Sequence, residues 1–74
     1  MLRLNRVRRR LKPFGLEMVS TGRGKHPFKV IGLIQGTTRR HTYPLKVHGK
    51  NPEISSSYLH GMIEEFNLPE DVFD

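Results

Sequence analysis

Apolar residues recur with a helical period at both ends of this chain and with strand-like alternation between them, an order that limits the fold more than any other feature. Leu4, Val7 and Leu11 stand three and four residues apart, with Arg3, Arg6, Arg8, Arg9, Arg10 and Lys12 filling most positions around them. The spacing predicts an amphipathic helix of about three turns with one apolar stripe, beginning near Asn5. Pro13 lacks a backbone donor and Gly15 accepts a left-handed conformation, so the helix is expected to stop around Leu11 or Lys12. Residues 16–20 form a short β-prone run, a basic Gly-rich stretch follows, and residues 28–34 form a longer apolar run. Tyr43, Leu45 and Val47 then alternate with Thr42, Pro44 and Lys46, marking a third strand with one buried face. Pro44 cannot donate to a ladder, which places that strand at an edge or a bulge.

The second helix is the clearer of the two. Leu59, Met62, Ile63 and Phe66 fall at i, i+3, i+4 and i+7 behind a run of serines at 55–57 suited to capping, and Asn67 and Pro69 end it. Residues 70–74 are left as an acidic tail or a final short turn. The reading is therefore α+β, with the order αβββα and a three-stranded antiparallel sheet. Both helices pack on one face, and the other face or a rim stays open for a ligand. A chain of 74 residues forms one domain, spanning residues 1–74.

Charge narrows the function. All 13 Lys and Arg residues fall in residues 1–50 against a single acid, Glu17, a net of +12, and the other six acids fall in residues 51–74 with no base, a net of −6. Such a dipole points to a polyanion-binding face on the first two-thirds and a different surface on the last third. Cysteine is absent, which excludes disulfides and thiolate metal sites, and His26, His41, His48 and His60 lack metal-ligand spacing, so neither metal nor cofactor is expected. No apolar run is long enough for a bilayer span and the basic start lacks a signal-peptide core, so a cytoplasmic protein that avoids membranes is expected.

Several motifs now line up: Phe14-Gly15 after an arginine-bearing helix, Gly24-Lys25-His26 opening a strand, Tyr43-Pro44, and His48-Gly49-Lys50 before a capped helix. In this order they resemble the HicA ribonuclease toxins of HicA-HicB modules, across nearly the whole chain. The resemblance implies a fold like that of double-stranded-RNA-binding domains and an mRNA endoribonuclease. It makes His26 the residue needed for cleavage and a HicB-like antitoxin the inhibiting partner. Lys25 stands where the family commonly has serine, and Glu64 and Glu65 where relatives are often basic.

The residues themselves fit such chemistry. Metal-free RNA cleavage needs a base for the ribose 2′-hydroxyl, an acid for the leaving 5′-oxygen, and positive charge on the phosphate. Histidine titrates near neutral pH and serves either proton-transfer role, which makes His26 the candidate general acid/base. Arg23, Gly24 and Lys25 beside it supply phosphate donors, Arg6, Arg9, Arg10 and Lys29 extend the RNA-binding set, and His41 is the candidate second acid/base. The arginines admit a second use, contact with an acidic antitoxin surface. Phe28 and Tyr43 are expected in the core rather than stacked on bases, and His60 on the outer side of the last helix. Gly61 marks either close approach of a partner or neutral change. A non-catalytic RNA-binding module and a protein-interaction domain remain the alternatives to an enzyme.

Overall fold

The computed structural model describes residues 2–20 and 27–74. The elements run β1 (Leu2–Arg3), α1 (Leu4–Leu11), β2 (Glu17–Ser20), β3 (Phe28–Leu33), β4 (Arg40–Leu45), β5 (Glu53–Ile54) and α2 (Ser56–Phe66). Strands β2, β3 and β4 form the expected antiparallel meander, and β1 and β5 form a separate antiparallel pair in which Leu2 faces Ile54 and Arg3 faces Glu53. That two-residue pairing leaves no periodic signal in the sequence.

Alternation decides the sheet's two faces. Val30 pairs with Met18 on one side and Tyr43 on the other, and Phe28 pairs with Ser20 and Leu45, so these side chains share one face. Met18, Phe28, Val30 and Leu45 are buried there, along with the whole α1 stripe of Leu4, Val7 and Leu11 and with Met62 and Phe66 of α2. Tyr43 packs against this core, as expected, and so does Val47, although β4 ends at Leu45. The opposite face presents Val19, Lys29, Ile31, Leu33, Thr42 and Pro44, and Leu33 is exposed there. Strand β4 lies at the sheet edge, the position that Pro44 requires.

The turns follow from named residues. Beyond α1 the chain tightens into a 3-10 turn, Lys12–Phe14, and Gly15 at φ 74° reverses it, its N–H donating to the Lys12 carbonyl at 3.0 Å. Gly32 serves a different end: a Cβ there would lie 2.5 Å from Leu16 Cδ2 and 3.2 Å from the Gly15 carbonyl oxygen, so any side chain would force the buried Leu16 to shift. Helix α2 is capped by Ser55, whose hydroxyl accepts from Tyr58 N at 3.4 Å. It ends at Asn67, which takes the left-handed conformation at φ 55°. Residues 70–74 are a turn rather than a free tail. Val72 N donates to the Pro69 carbonyl at 3.1 Å, and Val72 and Phe73 are buried in the core with Leu68.

Gly61 has an internal explanation. A Cβ at this position would collide with the Tyr43 hydroxyl and ring, so the glycine admits Tyr43 of the sheet rather than a partner.

Candidate nucleic-acid interface

Burying Leu4, Val7 and Leu11 turns the arginines of α1 outward. Arg6 and Arg9 are exposed, Arg10 is half-buried, and no acid lies in the helix's first turn. Neither Arg6 nor Arg9 has a hydrogen bond or ion pair among the described residues. Uncompensated guanidiniums on a rigid helix carry the fork geometry that matches phosphate oxygens.

The start of α1 is organised from far away in the chain. Arg3 occupies the N-cap position but offers no side-chain cap. Leu4 N donates instead to the Pro52 carbonyl at 2.8 Å, and Asn5 N to Asn51 Oδ1 at 2.9 Å. Arg3 Nη1 donates to the Asn51 carbonyl at 3.1 Å and its Nη2 lies 3.7 Å from Glu53, an exposed pair worth little in water. Leu2, Arg3, Asn5, Arg6, Arg9 and Asn51 together line an open recess of about 370 Å³. No spacing in the sequence marks Arg3, Asn5 and Asn51 as members of this surface, because only the β1–β5 pairing and the Asn51 hydrogen bonds bring them to the arginine helix.

The predicted residues do not share one flat surface. Lys29 is half-buried between Val19 and Pro44 on the open face of the sheet, opposite the face that α1 covers. Arg23, Gly24, Lys25 and His26 lie outside the described residues. Ser20, Phe28 and Leu45 are in register at one end of the sheet, and Lys46, His48 and Lys50, all exposed, follow from that end of β4.

His41 belongs elsewhere. It pairs with Gly32, four residues along β3 from Phe28 and hence about 13 Å away at the rise of a strand. Its ring stacks edge-on against Phe66 with centroids 5.3 Å apart, and Nε2 lies 3.6 Å from a Glu65 carboxylate oxygen. Next to it, burial pushes the Tyr43 phenol upward, reinforced by Tyr58, Glu65 and Glu64. Tyr43 therefore stays neutral at physiological pH and packs edge-on to Tyr58 rather than serving as a base. His60 is exposed on α2, as its position in the helical pattern predicts. Among the described residues, no three His, Asp or Glu side chains approach closely enough to hold a metal ion. None of their helices is long and apolar enough to cross a membrane.

No protein-family model, no curated protein and no solved structure matches this chain.

Proposed function

We propose that the chain is an RNA-binding protein that cleaves mRNA without a metal, with His26 as general acid/base, and that a HicB-like antitoxin restrains it in the cytoplasm. The observation that carries the reading is the outer face of α1, where Arg6 and Arg9 stand exposed with no acidic partner among the described residues. Such a face attracts phosphates at any sequence, with an affinity that falls steeply with salt. Arg10 borders it. Lys29 reaches the same RNA only if the strand turns around the sheet end, and Arg23, Gly24 and Lys25 complete the phosphate contacts beside His26.

In the cleavage step the ribose 2′-oxygen bonds to phosphorus as His26 takes its proton. The bond from phosphorus to the 5′-oxygen breaks, and that oxygen receives a proton, leaving a 2′,3′-cyclic phosphate and a 5′-hydroxyl. DNA, lacking the nucleophile, resists. A second reading, RNA binding without cleavage, is favoured by one observation: His41, the candidate second acid/base, is already engaged by Glu65 and Phe66.

Incubation of total RNA with the protein in EDTA separates the two readings. Degradation by the wild type and its loss in His26→Ala, with matching thermal unfolding, supports the nuclease. Equal RNA binding by both without cleavage overturns the nuclease and leaves the binding module.

A further inference from the structure

The recess at the start of α1 differs from the rest of the basic surface in how its polar atoms are used. Asn51 Oδ1 accepts from Asn5 N, the Asn51 carbonyl accepts from Arg3, and Asn5 Oδ1 accepts from Arg8 Nη1 at 3.2 Å. Each of these three oxygens thereby already accepts one hydrogen bond from within the protein. The side-chain donors that remain without a partner among the described residues are the guanidiniums of Arg6 and Arg9 and the Nδ2 groups of Asn5 and Asn51. A backbone N–H can be accepted only by oxygen, which fixes the Asn51 amide with Oδ1 toward α1 and Nδ2 as its remaining donor. The backbone N–H groups of Leu4 and Asn5 are also consumed, so the site rests on side chains and not on the helix terminus.

A site whose unpartnered groups are mostly charged and amide donors favours a ligand that only accepts. We propose that this recess is a phosphate subsite for the backbone of RNA, with Arg6 and Arg9 as the forks and Asn51 as the group that both seats α1 and closes the site. This rests on the RNA-binding reading above and adds to it the place where one stretch of backbone is held. Arg6 and Arg9 stand one turn apart on α1, about 4.5 Å along its axis, and Arg3 precedes them at the N-cap position on the same recess. Arg6 and Arg9 are uncompensated among the described residues, whereas Arg3 is partly matched by Glu53. An acidic protein would also accept from these donors, but a stable protein interface has an apolar centre, and the recess offers only Leu2. Interfaces with nucleic acid are polar and positive, as this one is.

Asn51→Asp is the decisive variant. It keeps an oxygen for Asn5 N, so α1 remains seated, and replaces the Nδ2 donor with an anionic oxygen facing the recess. The probe is a 2′-O-methyl RNA oligonucleotide of mixed sequence, which lacks the nucleophile and stays intact. It is titrated into the full chain while the side-chain Nε–H signals of its arginines are followed by NMR. The Arg6 and Arg9 signals should move, and affinity should fall at least tenfold in Asn51→Asp. The slope of log affinity against log salt should shrink by about 0.7 for each phosphate that the variant no longer holds. If the RNA binds while Arg6 and Arg9 stay unmoved, or Asn51→Asp binds like the wild type, the subsite is overturned and the RNA reading survives. If polyglutamate moves those signals and RNA does not, the occupant is a carboxylate surface and the phosphate assignment falls. If no RNA binds at any salt, the RNA reading itself has failed.

Discussion

The two helices of this domain pack on one sheet and start in opposite ways. Helix α2 caps itself, its first N–H groups meeting Ser55 next to them in sequence, and it stops at its own Asn67. Helix α1 has no capping side chain of its own, and its first N–H groups are met by Asn51 and Pro52, more than forty residues away. The charges differ in the same sense, with arginines outward on α1 and Glu64 and Glu65 outward on α2. A helix carrying so many like charges gains little from local interactions, since neighbouring arginines repel at i and i+4. What holds the start of α1 is distant in sequence, and one of those residues, Asn51, also lines its basic recess.

The largest effect tests how firmly α2 is anchored. Phe66→Ala should cost about 3–5 kcal/mol in urea unfolding, because the Phe66 ring is fully buried and its removal leaves a cavity in the core. A loss below about 1 kcal/mol would mean that α2 is no better embedded than a surface helix. Next comes the difference in capping. Asn51→Ala should cost about 1–2 kcal/mol and speed amide exchange in both α1 and the β1–β5 pair, whereas Ser55→Ala should cost about 0.5–1 kcal/mol and speed it only in the first turn of α2. If both variants loosen the same residues, the contrast between borrowed and local capping is broken.

The smallest effect concerns Gly61. Alanine there gains about 1 kcal/mol of helix propensity but must displace Tyr43, so Gly61→Ala should be net destabilising by about 1 kcal/mol. In a Tyr43→Phe background the cost should shrink, a coupling that a double-mutant cycle measures. Tyr43 also sets a pH limit. Its phenol is raised in the folded state by burial, with Tyr58, Glu65 and Glu64 adding to the effect, so its contribution is complete below about pH 10 and disappears as pH climbs through the raised value. Thermal unfolding of Tyr43→Phe should fall less steeply above that pH than unfolding of the wild type.

Much of the fold was legible because it is periodic. Leu4, Val7 and Leu11 announced one helix, Leu59, Met62, Ile63 and Phe66 the other, and Pro44 announced an edge. The β1–β5 pair was not legible, since Leu2 and Arg3 show nothing locally that calls for Glu53 and Ile54. Val72 and Phe73 were hidden by their company, Glu70, Asp71 and Asp74, because two adjacent apolar residues in an acidic stretch carry no period. The candidate site divides similarly. Arg6 and Arg9 could be placed on the outside by subtracting the apolar stripe, but the recess could not be found from spacing, because Asn51 joins it through tertiary hydrogen bonds.

The β1–β5 pair also orders events in time. Leu2 and Arg3 must wait for Glu53 and Ile54, while the strand ladder of β2, β3 and β4 closes over much shorter loops. Loop closure costs more as the intervening chain lengthens, so the ladder is expected to condense first and α1 to dock late. Val30→Ala should then slow refolding, and Val7→Ala should chiefly accelerate unfolding, a split that paired stopped-flow measurements would reveal. On a ribosome the arginine helix, made before residues 51–54, would emerge as a charged thread and become an ordered basic surface only after those residues had left the exit tunnel.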